Sequence, residues 1–264
     1  MITIDPNEDA IQITSNEFAN KSIIAEKRTE LYHFCDLEAA KKILTQKSLL
    51  LNCLTNFEGA ADYEKRGLSP NFLGRAFISC FSYKNNIPDL WIDFGDNHKG
   101  VRINFQIESA LHEVALDTSK PIEAYSKNGK LIDSFGFSIA TYNSPKLFLC
   151  ANYPTHIVVE VSLVDVSYTN DDPQPIIILD DTRCLLLTAA SRIVLKKYET
   201  EYETRLIGIL RSCQRQEIED ISYLLIPLDF RNPKCNITLT YGKKVSRADK
   251  QILNQLLDKA KNNT

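Results

Sequence analysis

The segment 198–205 constrains this chain most, because its charged residues lead directly into the apolar run 206–210. Interpreted as a strand, it puts Glu201, Glu203 and Arg205 on one face, since alternate side chains of a strand share a face. Carboxylates at a strand end, beside a guanidinium that partly neutralises them, lie where a cleft could use them. We therefore predict a strand with a charged functional end and an apolar end in the core.

The same residues have a second interpretation that the spacing leaves open. A Glu-x-Glu-x-Arg pattern is also typical of a solvated strand face. If the segment is helical, it is equally typical of a surface on which Lys196 and Glu199 form ion pairs with their neighbours.

The composition excludes several classes of protein. With 264 residues, 44% hydrophobic and 25% charged, the chain resembles soluble globular proteins and can bury a sizeable core. Its net charge of −3 argues against nucleic-acid binding by bulk electrostatics. The seven scattered cysteines include no Cys-x-x-Cys pair, which favours reduced thiols in the cytosol. Neither a signal peptide nor an apolar run of membrane-span length is present. We therefore expect a cytoplasmic protein that does not associate with a membrane.

Hydrophobic periodicity, caps and turns predict an α+β fold with mixed or antiparallel sheets. Strands are predicted over residues 31–34, 48–51, 75–81, 101–105, 157–164, 176–179, 205–210, 221–228 and 237–241. Helices are predicted after the N-cap Asp36, over residues 89–94, 108–115 and 181–198, and after a capping box at Ser246. A hairpin is predicted around Asn128-Gly129, where both central residues need positive φ. Residues 1–29 are expected to form a peripheral extension, and residues 30–264 a single domain.

Common catalytic and metal motifs are missing from the sequence. The loop from Gly95 to Gly100 has the outer spacing of a phosphate loop, but Val101 follows where lysine is required. The four histidines have no mutual spacing that would indicate a metal site, so no metal is predicted. Taken alone, His33 and Trp91 are typical of core residues.

Four blocks of the sequence together resemble a widespread bacterial family that carries only a domain-of-unknown-function label. The blocks are Leu31-Tyr32-His33-Phe34, then Ser79-Cys80-Phe81-Ser82 with Trp91 and His98-Lys99-Gly100, then Tyr198 to Arg205, and finally residues 237–257. Leu90, Phe94 and Tyr198 depart from the family pattern, which has Met, Tyr and Trp there. The Asn-Asp-Pro segment of the family is reduced to Asn56-Phe57-Glu58-Gly59 in this chain.

The order of some residues also resembles ADP-ribosyltransferases. Those enzymes present a His or Arg on a first strand, a Ser or Tyr on a later strand, and a catalytic Glu that often closes a Glu-x-Glu pair. This chain has His33, then Ser79 or Ser82 with Tyr83, then the Glu201–Glu203 pair. The resemblance implies an ADP-ribosyltransferase-like fold and NAD as the substrate.

The resemblance also implies roles for the charged residues. Cleavage of the nicotinamide–ribose bond passes through an oxocarbenium-like transition state. Glu203 would accept a hydrogen bond from the ribose 2′-hydroxyl and favour the developing positive charge. Glu201 would orient or deprotonate the incoming nucleophile, and Arg205 would hold the pair of carboxylates.

Four further residues would contact NAD by the same resemblance. His33 would fix a ribose, Ser82 and Tyr83 would line the nicotinamide pocket, and Trp91 could supply a wall. The expected function is transfer of ADP-ribose to a macromolecule, protein or nucleic acid, by a bacterial toxin or antiphage effector with a possible antitoxin or regulatory partner. The alternative is a non-catalytic nucleotide-binding or interaction module of a bacterial defence system.

Overall fold

Most strands in the described part of this protein pair in antiparallel fashion. A computed structural model describes residues 11–13, 25, 27–56, 73–108, 115–138, 148–152, 157–169, 176–178, 193–212 and 221–262. The strands are β1 (Ile11–Ile13), β2 (Glu30–Cys35), β3 (Ser48–Cys53), β4 (Ala76–Ser82), β5 (Val101–Ile107), β6 (Ile122–Tyr125), β7 (Leu131–Ser138), β8 (Phe148–Asn152), β9 (Ile157–Asp165), β10 (Ser167–Thr169), β11 (Ile176–Ile178), β12 (Ile193–Leu195), β13 (Glu203–Ser212), β14 (Tyr223–Pro227) and β15 (Cys235–Tyr241). The α-helices are α1 (Leu37–Gln46), α2 (Pro88–Asp93) and α3 (Arg247–Asn262), with 3-10 turns at Leu54–Asn56 and Lys196–Glu201.

The large sheet closes on itself. Its strand order is β13-β9-β8-β7-β6-β14-β3-β4-β2-β5-β15, and an additional pairing of β13 with β4 joins eight strands into a ring. Two short parallel pairs, β1 with β11 and β10 with β12, stand beside it. These pairings, with few helices, confirm the α+β prediction.

Strand β4 is the point where the ring and the remaining strands meet. Along one edge it pairs with β13 from Ala76 to Ser82. The other edge is shared, because β3 pairs with Phe77 and Ile78, whereas β2 meets β4 only at Ser82. The sheet therefore splits between β3 and β2, close to the predicted site.

Helix α1 forms as its sequence indicates. The Asp36 carboxylate accepts a hydrogen bond from the Ala39 N–H at 2.7 Å, which satisfies one of the free donors of the first turn. Lys47 closes the helix in the left-handed conformation with φ 52°. The buried stripe is Ala40, Ile43 and Leu44.

Helix α3 also begins where the capping signal predicts. The Asp249 N–H donates to the Ser246 hydroxyl at 3.1 Å, and that hydroxyl donates to the Asp249 carboxylate at 2.6 Å. Leu253 and Leu257 are buried, but the neighbouring apolar Ile252 is 44% exposed. The helix therefore packs by a narrower stripe than its apolar residues suggested.

The predicted hairpin is confirmed with a different turn. Strands β6 and β7 pair across it, yet only Gly129 has a positive φ, of 74°. The Ser126 N–H donates to the Lys130 carbonyl, and the pairing shifts register at the end of β6. A longer turn with one left-handed glycine therefore replaces the two-residue turn, and Asn128 needs no positive φ.

The prediction of a helix over residues 181–198 is wrong for the last part of that range. Residues 193–195 form strand β12 and residues 196–201 a 3-10 turn, whereas the spacing predicted a helix over 181–198. Residues 181–192 of that prediction lie outside the described residues, as do 109–114 of the helix predicted over 108–115. Strand β3 extends to Cys53, beyond the predicted strand 48–51, and residues 57–72 also lie outside the described residues.

The end of the predicted N-terminal extension is integrated with the core. Ala25 is fully buried in the main hydrophobic cluster. The Arg28 guanidinium pairs with the Asp165 carboxylate at 2.7 Å and covers the Tyr83 ring at 3.7 Å from its centroid. Within the described residues, no helix is long and apolar enough to cross a membrane.

Candidate functional site

A buried ion pair lies at the beginning of β13. Glu203 and Arg205 share one face of the strand, as alternation predicts, and are 4% and 7% exposed. Arg205 Nε donates to Glu203 Oε1 at 2.7 Å, and its Nη2 donates to Oε2 at 3.0 Å. This two-point contact is the strong geometry for a guanidinium and a carboxylate.

Ser82 lies directly across from this pair. It is the register partner of Glu203 in the antiparallel β4–β13 ladder, and Cys80 is the partner of Arg205. Opposed residues of such a ladder point to the same side. We call the side that carries Ser82, Cys80, Glu203 and Arg205 the acid face. The Ser82 hydroxyl donates to the Lys84 carbonyl at 3.2 Å, so it serves the turn that follows β4.

Glu201 does not belong to the strand, which corrects the prediction for segment 198–205. Residues 196–201 form the 3-10 turn, and Tyr202 takes a left-handed φ of 48° before β13 begins at Glu203. Burial raises the pKa of the half-buried Glu201 to about 7, and the negative charge of Glu203 adds to the rise. Glu201 can therefore exchange a proton near neutral pH.

This raised pKa predicts a specific pH dependence of stability. The folded protein holds the Glu201 proton more tightly than the unfolded chain, whose ordinary pKa is 4.5, so stability falls as pH rises from 4.5 to about 7. Glu201→Gln should remove this decline and raise the free energy of unfolding at pH 8 by about 1 kcal/mol, after allowance for solvent screening. Urea unfolding at pH 4, 6 and 8 measures it, with the exposed Glu199→Gln as control. An equal difference at all three pH values would contradict the prediction.

Cys80 is a member of the acid face that sequence reasoning missed. Burial raises the pKa of its thiol well above the usual value, and the nearby Glu203 carboxylate adds to the rise. The thiol is therefore neutral at physiological pH. Its signal in the sequence was its position two residues before Ser82 on the same strand.

The side of the ladder opposite the acid face carries His33 and Phe81. Their ring centroids are 5.5 Å apart, and Phe81 packs in the main core. Because Tyr32 is the register partner of Ser82, alternation directs the neighbouring His33 away from the acid face. The described hydrogen bonds and ion pairs of Glu203 do not include His33. The structure thus brings Ser82, Glu203 and Arg205 together but does not add His33 to them.

The tautomer of His33 follows from its single described hydrogen bond. Nδ1 lies 2.9 Å from the Cys80 carbonyl oxygen, which can only accept, so Nδ1 carries the proton. Burial lowers the pKa of the imidazole. His33 is therefore neutral at pH 7, with its Nε2 lone pair available as an acceptor.

Tyr83 is tied to the same side as His33. Its ring lies under the Arg28 guanidinium, and Arg28 pairs with Asp165. Asp165 in turn accepts a hydrogen bond from the Thr204 hydroxyl at 2.6 Å, and Thr204 is the register partner of Phe81. Sequence reasoning missed Arg28 and Asp165, because both are distant in the chain and show no local motif.

Trp91 packs on the side of β2 that carries Tyr32 and Phe34. Its ring meets Phe34 edge-on at 5.1 Å and lies nearly parallel to His98, at 15° and 6.2 Å between centroids. Helix α2, which carries Trp91, ends with Asp93, whose charge also raises the pKa of Glu201. The end of α2 is therefore within electrostatic reach of the 3-10 turn.

Neither a metal-ligand cluster among the described residues nor a comparison with known proteins adds residues to this site. Within the described residues, no group of three or more His, Cys, Asp or Glu side chains is placed to hold a metal ion. No family model, curated protein or solved structure matches the chain.

Proposed function

We propose that this protein is an ADP-ribosyltransferase-like enzyme that cleaves NAD and transfers ADP-ribose to a macromolecular acceptor. The observation that carries the proposal is the pairing of Ser82 with Glu203 at the first residue of β13, one residue beyond Tyr202 and next to the titratable Glu201. The resemblance to ADP-ribosyltransferases requires a serine strand and a Glu-x-Glu segment, and here they are hydrogen-bonded neighbours. The ADP-ribosyltransferase-like fold is part of this proposal.

The chemistry assigned to the two carboxylates is complementary. When the bond between ribose C1′ and the nicotinamide nitrogen breaks, its electron pair leaves with nicotinamide and positive charge remains on the sugar. Glu203 would favour that charge through the ribose 2′-hydroxyl. Glu201, with a pKa near 7, would take the proton of the attacking acceptor group. In this scheme Arg205 positions Glu203 and Ser82 remains the proposed neighbour of nicotinamide, whereas Tyr83 lies on the side of His33 and is not assigned to that pocket.

His33 has a reduced part in this proposal. The described contacts give it no connection to the carboxylates, so the acid pair carries the assignment without it. If NAD contacts His33, the neutral Nε2 would accept a hydrogen bond from a ribose hydroxyl at the split between β3 and β2.

Nicotinamide release from labelled NAD tests the assignment directly. We expect Glu203→Gln to lower the rate at least about 100-fold, the effect typical of losing one electrostatic contact to a transition state. Because that change leaves Arg205 buried without a counter-charge, Glu203→Asp serves as a second variant. This variant keeps the negative charge but withdraws it by one methylene, so its rate of nicotinamide release should also fall sharply. Glu201→Gln should reduce transfer to protein, RNA or DNA acceptors more than it reduces hydrolysis.

Controls make the result decisive. Glu199 lies on the same 3-10 turn as Glu201 and its side chain is exposed, so Glu199→Gln should retain the wild-type rate. Thermal unfolding of each variant separates loss of activity from loss of folding. Folded wild-type protein that neither releases nicotinamide nor modifies any acceptor class would contradict the proposal, as would full activity in both Glu203 variants.

A second function is favoured by the shielding of Glu203. A carboxylate that is 4% exposed and held at two points by Arg205 resembles a structural pair more than an open catalytic acid. It fits a non-catalytic nucleotide-binding or interaction module with a regulatory partner. NAD affinity by calorimetry without turnover, unchanged in Glu203→Asp, would select this function over the enzyme.

A further inference from the structure

The turn after α2 has an unusual backbone. Asp96, Asn97 and His98 are consecutive and have φ values of 46°, 51° and 67°. Left-handed residues normally occur singly, so three in a row are unusual even though Asp, Asn and His adopt the conformation more readily than other side chains. Such backbone persists only where its surroundings hold it, and it is concentrated at functional sites.

Hydrogen bonds from two sides hold this turn in place. The His98 N–H donates to the Trp91 carbonyl, and the Lys244 N–H donates to the His98 carbonyl, both at 2.9 Å. The Gly242 N–H donates to the Gly100 carbonyl at 3.0 Å. The segment after β15 therefore fixes the position of His98 relative to α2.

The fixed turn places two aromatic rings side by side. The His98 imidazole lies 15° from parallel to the Trp91 indole, with centroids 6.2 Å apart, and both side chains are half-buried. Within the part of the chain that the structure describes, the imidazole of His98 makes no hydrogen bond. An offset pair with partly exposed rings leaves π surface on which a third planar ring can stack.

This pair stands next to the acid face. Asp93, two residues after Trp91, acts electrostatically on Glu201. Phe34, which meets Trp91 edge-on, lies on the same side of β2 as Tyr32, the partner of Ser82. A ligand that reaches from the acid face toward α2 therefore meets the Trp91–His98 pair.

We propose that Trp91 and His98 form a stacking site for the planar nitrogen heterocycle of a nucleotide. In this proposal the turn at residues 96–98 holds the His98 imidazole parallel to the Trp91 indole. The choice of NAD as the nucleotide rests on the proposed function, whereas the stacking site itself does not. The shared chemistry of nicotinamide and adenine is a flat aromatic ring, and sequence-tolerant stacking on aromatic side chains suits either one.

Tryptophan fluorescence tests this site without any need for catalysis. Trp91 is the only tryptophan of the chain, so its emission reports on ligands that stack against it. We would titrate the full chain with NAD, nicotinamide mononucleotide and AMP, using ribose 5-phosphate as the ligand that lacks a ring. Saturable quenching by NAD and by one mononucleotide is expected, and the mononucleotide that quenches identifies the stacked ring.

Two matched variants of the turn separate the ring from the backbone. His98→Asn keeps a residue that tolerates the left-handed conformation but removes the imidazole, and it should weaken binding at least tenfold. Asp96→Asn alters the same turn without touching the stack and should leave the Kd unchanged. Thermal unfolding verifies that both variants are folded.

The outcomes distinguish this site from the proposed enzyme. An equal Kd in folded His98→Asn, quenching by ribose 5-phosphate, or no quenching by any nucleotide would overturn the stacking site. Ring-dependent quenching in a protein that does not cleave NAD would support the site and refute the enzyme. Normal NAD cleavage with unchanged affinity in His98→Asn would support the enzyme and refute the site.

Discussion

Replacing Arg205 by methionine is expected to lower the free energy of unfolding by about 3–5 kcal/mol. The substitution keeps most of the side-chain volume but leaves the Glu203 carboxylate, 4% exposed, without the guanidinium that now contacts both its oxygens. An uncompensated buried charge is among the costliest single changes in a protein interior. Urea unfolding at pH 7 with a fitted m-value measures the loss.

A double variant shows whether the charge causes this loss. Glu203→Leu together with Arg205→Met removes both charges, and well-packed apolar replacements of buried ion pairs are often neutral or stabilising. We therefore expect the double variant to recover most of the stability that Arg205→Met loses. Lys120→Met removes an exposed lysine that pairs with Asp117 at 3.0 Å, and it should change the stability little because the Asp117 carboxylate keeps its hydrogen bonds from Ser119. If Arg205→Met were as harmless as Lys120→Met, the Glu203–Arg205 pair would not be a buried pair in solution.

The positions of Glu203 and Arg205 relative to one another could be predicted from the sequence. Strand alternation fixes which residues of β13 share a face, and it needs only local information. The prediction that Glu201 shares this strand face was wrong for an equally local reason. Tyr202 takes a left-handed φ that ends the 3-10 turn and breaks the alternation. The sequence shows no glycine there to indicate a turn.

The division of the predicted site residues between two sides could not be predicted. It depends on the register of β2 against β4, which rests on the single pairing of Tyr32 with Ser82. A shift of one residue would turn His33 toward Glu203, and nothing local to either strand selects the register. The closing of the ring by β13 and β4 is likewise a contact between distant segments.

Secondary structure was predictable where caps and turns mark it. Asp36 and Ser246 cap their helices with the hydrogen bonds that their side chains predict. Residues 193–195 were assigned to a helix because a short apolar run fits either period. They form a strand because β10 offers a parallel partner, from Ser167 to Thr169.

Gly242→Ala is the second substitution with a large expected effect. A Cβ at this position would lie 2.6 Å from the His98 carbonyl carbon and still closer to its oxygen, and both are backbone atoms that the strained turn holds in place. A side chain could turn aside, but this carbonyl accepts the hydrogen bond from Lys244 and cannot move without breaking it. We expect a loss of about 3 kcal/mol in the free energy of unfolding, at the upper end of the usual cost of overpacking.

Gly136→Ala is the matched control for Gly242→Ala. Gly136 lies within β7, and a Cβ there meets nothing within 4 Å. Alanine in a strand also costs less backbone entropy than glycine, so this variant should be neutral or more stable by about 0.5–1 kcal/mol. Chemical denaturation of both variants gives the comparison. Gly242→Ala with the stability of Gly136→Ala would mean that the turn at His98 yields to a methyl group, and the rigid placement of the imidazole over Trp91 would then be lost as well.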